Sequence, residues 1–372
     1  MKVILFSNTD WFLYNFRLNT AIGLRDAGYD VLLVSPEGKY VSRLQDAGFA
    51  WKRFDITRRG MNPFTELQTV LRFKKFLKQE QPDILNNYTI KCVIYGSLAA
   101  RYSGVSNVIN TIPGLGYVFT DQLKVKPLRW LVKKLYRIAL KGSSVIFINR
   151  DDQKLFLQKK LAKKEQVNLI ESCGVDTVLF SPAPEANGLP IILFSGRLLR
   201  DKGIEEFVAA ARKVNRKEKS ARFVLVGNID TGNPSGVTEE QMNAWISEGA
   251  IEYWGWQDDM VKIYQQAHIV CLPSYYREGV PKSLLEAASC EKPLIATDEP
   301  GCREVVIDGK TGLLIRSKDS HSLAAAITKL VNAPDLRRKM GIQARKLIQE
   351  RFSDEQVVMQ TLDLYHRVAS PE

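Results

Sequence analysis

A chain of 372 residues, 45% of them hydrophobic and 25% charged, holds enough apolar material for two cores and reads as globular. Its five cysteines (Cys92, Cys173, Cys271, Cys290, Cys302) are scattered without a C-x-x-C pair, which speaks against a disulfide framework or a structural zinc site. The opening MKVILFSNTDW has only a short apolar run, and no uninterrupted apolar segment elsewhere approaches a membrane span, so signal peptide and transmembrane helix are not expected and the chain reads as cytosolic and reduced.

In chain order, short apolar runs alternate with amphipathic stretches. KVILFS is followed by a helix near Phe16 to Ala27, DVLLVS by a helix near Pro63 to Glu80, and DILNN by a helix near Cys92 to Tyr102. Strand, helix and strand at this spacing predict a parallel sheet covered on both faces. GVDTVLFSPAPEANGLP, rich in Pro and Gly, reads as a linker. A second series then runs through IILFSGR, FVLVGN, IEYWGW, IVCLPS, PLIAT and GLLI. The expected organisation is an α/β chain of two domains, 1–182 and 183–352. A final helical segment, 353–372, follows the second series, and packing back on the first domain is one place for it.

The segment SYYREGVPKSLLEAASC, Ser274 to Cys290, places Glu278 before a helix start and Glu286 inside the helix, around a Gly-Val-Pro-Lys turn. Free backbone N–H groups and the positive dipole end of a helix favour a phosphate there. Two carboxylates that are not stacked on one helical face can reach different hydroxyl-bearing parts of one ligand. That combination suits a nucleotide sugar. After the strand IILFS come Gly196 and Arg197, then Asp201, Lys202 and Gly203, a set whose cations can neutralise a diphosphate. Gly227 in VGN supplies a further turn after a strand, and YWGW, Tyr253 to Trp256, offers aromatic and backbone groups for a base, although Trp254 and Trp256 taken singly read as packing residues. Ligands of open parallel sheets bind at the carboxyl ends of strands, where each of these clusters falls.

SGRLLRDKG, VGN, GWQDD, PSYYREGVPKSLLEA and the later PG-REVV-DG-TGLL, in this order and spacing, resemble the retaining glycosyltransferases of family 4. The likeness covers nearly the whole chain and implies the GT-B fold, two Rossmann-like domains facing a central cleft. Glu278 and Glu286 match that family's Glu-x7-Glu motif. The resemblance implies that Arg197 and Lys202 bind the donor diphosphate and support its departure. It implies that Glu286 binds the ribose hydroxyls, and that Glu278 with the backbone of Gly279, Val280 and Pro281 holds the donor hexose. Lys282, in the same turn, is expected to add charge near the sugar or phosphate. Preorganised cations and helix N–H groups are suited to the negative charge that builds on a leaving nucleoside diphosphate. With no Asp-x-Asp motif and three dispersed histidines (His268, His321, His366), no metal or other cofactor is expected. No nucleophile is evident on the sugar's beta face, which favours front-face attack over a covalent intermediate.

The first domain is expected to supply the acceptor side. Asn8, Asp10, Asn15 and Arg17 form a polar group in SNTDWFLYNFR, and Gly114 and Gly116 follow the strand NVINTI, where glycines would let backbone approach the donor phosphates or sugar, a plain turn being the alternative. The Gly-Gly pair that many family members carry after the first strand is absent, and so is a histidine in the N-terminal half; Asn86, Asn87, Tyr88 and Thr111 are the substitutes on offer. The formal charge of +12 lies in this half. Residues 1–180 hold 28 Lys and Arg against 15 Asp and Glu, residues 181–372 hold 25 against 26. KVKPLRWLVKKLYRIALK, Lys124 to Lys141, together with Arg58, Arg59 and the Arg72, Lys74, Lys75, Lys78 run, suits an anionic membrane surface. NFR, TIPGLGYVFT and REGVPKSLLEA look most like bacterial transferases, N-acetylgalactosaminyltransferases using UDP-sugars among them, that extend undecaprenyl-diphosphate-linked glycans. The expected setting is the inner face of the cytoplasmic membrane, with surface-polysaccharide or glycan synthesis as the process. A UDP-N-acetylglucosamine epimerase of similar fold and a transferase with a soluble acceptor are the alternatives. Nucleic acid is not expected, since no DNA- or RNA-binding module is present.

Overall fold

A computed structural model describes residues 1–57, 62–115, 126–230, 232–276 and 278–369. The chain divides into two compact units, residues 1–174 with 354–372, and residues 175–353. The break falls after Gly174 rather than between 182 and 183. The segment that follows Gly174 belongs to the second unit because its backbone is held there: the Phe180 carbonyl accepts hydrogen bonds from Ser289 Oγ and from Arg345.

In the first unit, β1 (Lys2–Phe6), β2 (Asp30–Ser35), β3 (Ala50–Arg53), β4 (Ile84–Tyr88), β5 (Asn107–Ile112), β6 (Ser144–Phe147) and β7 (Val167–Leu169) form one sheet in the order β3-β2-β1-β4-β5-β6-β7. All neighbours are parallel, with Val3 opposite both Val31 and Ile84. The helices are α1 (Asp10–Asp26), α2 (Val41–Asp46), α3 (Pro63–Glu80), α4 (Ile90–Arg101), α5 (Lys126–Ala139) and α6 (Arg150–Gln158). The run KVILF is apolar almost throughout because both faces of its strand are covered. Val3 and Leu5 pack in one core with Leu13, Ala21 and Leu24 of α1, while Ile4 and Phe6 pack in another with Phe73 and Leu77 of α3.

The first helix starts at Asp10, not near Phe16. Thr9 has extended backbone and its side chain accepts from the Phe12 N–H, which caps the helix at a typical gain of about 1 kcal/mol. Asn15 and Arg17 therefore lie on helical turns rather than in a loop.

The second unit carries β8 (Ile191–Ser195), β9 (Arg222–Val226), β10 (Glu252–Tyr253), β11 (Ile269–Leu272), β12 (Leu294–Thr297) and β13 (Gly312–Ile315), parallel and in the order β10-β9-β8-β11-β12-β13. Its helices are α7 (Ile204–Val214), α8 (Glu239–Ser247), α9 (Met260–Gln266), α10 (Lys282–Ser289), α11 (Cys302–Val305), α12 (Ser320–Val331) and α13 (Pro334–Arg351). The last helix, α14 (Asp354–Ala369), returns to the first unit. There Val357, Leu364 and Tyr365 join the core under α1. Gly23 makes this approach possible, since a Cβ at that position would collide with Val358. In each sheet the chain reverses its direction of growth beside the first strand, β1 between β2 and β4, β8 between β9 and β11. Crevices at such switch points are where open α/β sheets take ligands.

Candidate active site

The second unit gathers its charged side chains at the carboxyl ends of β8 and β11. Beyond β8, a 3-10 turn (Arg200–Lys202) closes on Gly203 in left-handed conformation and leads into α7. A Cβ at Gly203 would collide with the Pro273 carbonyl, so glycine lets this turn lie against the segment after β11. The Asp201 carbonyl then accepts from the N–H groups of Tyr275 and Tyr276, at 3.0 and 2.8 Å, which ties the two loops together.

That stitching brings Lys202 to Glu278. Lys202 Nζ lies 3.0 Å from Glu278 Oε1, with side chains only 12 and 13% exposed. Ser274 Oγ donates to the same carboxylate oxygen at 3.2 Å. Lys202 Nζ also lies beside the α-carbon of Gly196. Arg197, one residue on, is exposed, and its side chain makes no hydrogen bond or ion pair with the described residues, so its guanidinium is available to a ligand.

Gly279 and Val280 follow Glu278, and Pro281 is the N-cap of α10. Four residues inside that helix Glu286 is 13% exposed, with Lys282 Nζ at 3.7 Å. Burial pushes the Glu286 carboxyl up from its ordinary value, while the Lys282 charge and a hydrogen bond with Tyr264 work in the opposite direction. Tyr264 OH and Ser195 Oγ are 2.9 Å apart, so Glu286 is backed by a chain that reaches the end of β8. Ser195, Tyr264 and Ser274 are supports that sequence reading misses. Ser195 at the end of IILFS is the one signal available, and the partner on α9 has none.

The turns after β9 and β10 are also interlocked. Gly227 N–H donates to the Gly255 carbonyl at 2.9 Å, and Tyr253 OH donates to the Gly227 carbonyl at 2.9 Å. A Cβ on Gly227, whose φ is +140°, would strike the Gly196 carbonyl. Trp256 stands at the surface, 43% exposed, with its indole N–H donating to Asp258. Trp254 is partly buried and packs against the core. Gly196, Arg197, Lys202, Gly227, Glu278 to Lys282 and Glu286 thus all fall on loops or on α10 at one end of this sheet.

The first-domain candidates divide differently. Asp10 is buried, its Oδ2 accepting from the Tyr40 N–H at 2.7 Å, and a Cβ at Gly38 would meet it. That hydrogen bond anchors the loop after β2. Asn87 is fully buried and donates to Asn110 Oδ1 at 3.0 Å, which makes it an interior group. Asn86, Tyr88 and Thr111 form a second interior network: Asn86 Nδ2 donates to the hydroxyls of Tyr88 and Tyr365, and Thr111 Oγ1 donates to Asn86 Oδ1. Arg17 is buried against the Tyr88 ring, 4.8 Å from its centroid. Asn15 Nδ2 bonds the Trp11 carbonyl one turn back. Asn8 and Gly114 remain partly accessible at the ends of β1 and β5. Gly116, Arg58, Arg59 and Lys124 lie outside the described residues. Among the described residues, no group of three or more His, Cys, Asp or Glu gathers as a metal site.

Two family models match the chain: one described as "Glycosyl transferases group 1" over residues 177–347, the other as "Glycosyl transferase 4-like" over residues 2–150. The N,N'-diacetylbacillosaminyl-diphospho-undecaprenol alpha-1,3-N-acetylgalactosaminyltransferase of Campylobacter jejuni is 30% identical over 99% of this chain and 99% of its own. The chain belongs to glycosyltransferase family 4. This glycosyltransferase is also 26% identical, over 82% of its length and 81% of the relative's, to the UDP-Gal:alpha-D-GlcNAc-diphosphoundecaprenol alpha-1,3-galactosyltransferase of Escherichia coli. Its fold is GT-B. Anabaena HepE, solved in complex with UDP and glucose, superposes on it with a TM-score of 0.80 at 18% identity, covering 98% of this chain and 99% of the other.

Proposed function

We propose that this glycosyltransferase moves a hexose or N-acetylhexosamine, N-acetylgalactosamine first among them, from a UDP-sugar to a polyprenyl-diphosphate-linked saccharide, with retention of configuration and without a metal ion. The observation that carries this reading is the convergence of Lys202, Glu278, Lys282 and Glu286 on the carboxyl ends of β8 and β11 and the start of α10. The Campylobacter jejuni and Escherichia coli relatives, both named for undecaprenol-diphosphate-linked substrates, support the acceptor class. Arg197 and Lys202 receive the diphosphate, Glu286 the ribose hydroxyls, and Glu278 with the turn from Gly279 to Pro281 the donor sugar. Charge developing on the leaving UDP is met by two cations and by the first N–H groups of α10, groups already in place before bond breaking. The departing phosphate accepts the acceptor hydroxyl's proton in front-face attack. The basic first domain keeps the protein on the inner face of an anionic membrane, beside its lipid-linked acceptor. No helix among the described residues is long and apolar enough to cross a membrane.

A panel of UDP-sugars offered with a polyprenyl-diphosphate-linked acceptor, with and without EDTA, tests the reading. It predicts transfer from UDP-N-acetylgalactosamine, an alpha-linked product by NMR, and undiminished rate in EDTA. An inverted anomeric centre, or conversion of the UDP-sugar with no acceptor present, would overturn it. Arg197→Ala should lower kcat by about 100-fold, the scale of losing one preorganised charge-stabilising donor, with Tm unchanged. Lys202→Ala should lower kcat similarly and also reduce stability, because it strands Glu278 in a nearly buried position.

A further inference from the structure

Helix α3 has two apolar faces. Its inner face is ordinary: Thr69, Phe73 and Leu77 are buried, and the Phe73 ring stacks on Phe6 with centroids 4.1 Å apart. On the opposite face Phe64, Leu67 and Leu71 are 80, 58 and 55% exposed. Spacings of three and four residues place them on one stripe. Lys75 and Lys78 continue that stripe toward the C-terminus, with Arg72 and Lys74 on its two flanks. Neither the Lys75 nor the Lys78 side chain forms a hydrogen bond or ion pair with the described residues. The outer face of α3 is thus apolar over its first two turns and cationic beyond them, and no packing among the described residues of the first unit accounts for that division.

The direction of the helix matters. Lys91, at the second position of α4, pairs with Glu66 in the first turn of α3 at 2.7 Å. The apolar half of the stripe therefore lies at the end of the sheet where β4 gives way to α4, the same carboxyl edge that presents Asn8 and Gly114. Helix α5 lies on the other side of α4 from α3. It exposes Trp130 and Leu131, with Lys134 Nζ 5.5 Å from the Trp130 ring centroid.

We infer that the outer face of α3 is a membrane anchor: Phe64, Leu67 and Leu71 enter the headgroup and acyl boundary of an anionic bilayer, and Lys75 and Lys78 bind its phosphates. Charge selects this occupant over a second copy of the chain. A copy would bring the same basic face, within a half that carries 28 Lys and Arg against 15 Asp and Glu, against itself. An anionic surface satisfies the lysines and the apolar residues together. The inference rests on the membrane-bound acceptor of the proposed function only for its purpose; binding to lipid is separable from sugar transfer.

The full chain is tested by co-sedimentation with phosphatidylcholine vesicles with and without phosphatidylglycerol, beside a transfer assay that uses a short-chain, water-soluble acceptor. F64S/L67S/L71S should lower the partition coefficient on anionic vesicles by at least about tenfold, since three large apolar groups leave the interface, with Tm and soluble-acceptor activity kept. K75E/K78E should weaken binding and flatten its dependence on salt. For a direct reading of depth, a nitroxide on Phe64→Cys, the five natural cysteines all being buried, should become more accessible to oxygen than to a water-soluble relaxant when vesicles are added. Wild-type partitioning of the triple variant, or loss of self-association in that variant with vesicle binding intact, would overturn the anchor. Wild-type protein that binds vesicles but transfers no sugar would leave the anchor standing and overturn the proposed function.

Discussion

Glu286 keeps a carboxyl group in a place that resists its charge. Burial raises its pKa, and Lys282 and Tyr264 relieve only part of the cost. A carboxyl whose folded-state pKa lies above its unfolded value binds more protons when folded, so its contribution falls as pH rises through the folded pKa and stays unfavourable above it. Glu286→Gln removes that cost. Calorimetry should find the variant at least as stable as the parent at about pH 7, with the difference shrinking toward about pH 4, where the parent's carboxyl is protonated. Titration with UDP should show affinity reduced by about tenfold or more, the scale of losing hydrogen bonds to a charged group. A variant less stable at neutral pH with unchanged UDP affinity would sink the assignment to ribose. Glu278 and Glu286 are legible in the sequence because a strand end, a Gly-Val-Pro-Lys turn and a helix are local events. Asp10 and Asn87 show the limit: they have the same residue types as ligand groups, yet one holds the Tyr40 backbone and the other faces Asn110, partners 30 and 23 residues away.

At the scale of elements, the candidate site depends on loops that approach one another backbone to backbone. Gly301, φ +83°, leads into α11, and a Cβ there would overlap the Gly279 carbonyl. Gly309 has a similar φ of +71° with open space around it. The pair separates backbone strain from collision. Gly309→Ala should cost about 1 kcal/mol in urea unfolding, the price of a left-handed conformation alone. Gly301→Ala should cost about 3 kcal/mol or more and should also weaken UDP-sugar binding, because the turn from Glu278 to Pro281 must move. Equal losses in the two variants would show that the close approach carries no weight. Gly227 is readable as a turn and Gly203 stands in the polar set after β8; that each admits a particular carbonyl, of Gly196 and of Pro273, is not readable, since the contact joins segments far apart in sequence. The opening helix is the reverse case. Thr9 followed by Asp10 is a capping signal available in the sequence, and the helix begins there, ahead of the expected start near Phe16.

Across the whole molecule, α14 is the element that follows the second unit in sequence and completes the first in space. It buries Val357, Thr361, Leu364 and Tyr365, and Tyr365 OH accepts from Asn86 at 2.8 Å. Four such side chains are worth more than about 5 kcal/mol, comparable with the whole stability of a typical domain. A chain ending at Ser353 should therefore unfold its first unit at markedly lower urea while the second unit keeps its transition. A single unshifted transition would contradict this division of the core. Local sequence was sufficient for the alternating strands and helices, for the Arg197, Lys202, Glu278 and Glu286 set with the family it marks, and for the placement of the excess positive charge in the first half. All of these are written in consecutive residues or in composition. Tertiary structure decided which polar residues are interior, where the units divide, that α14 belongs with α1, and that α3 carries an exposed apolar stripe as well as a buried one. Those outcomes turn on which segments the sheet order brings together. A helix's periodicity reports that it has an apolar face, but only its packing shows which apolar face is left uncovered.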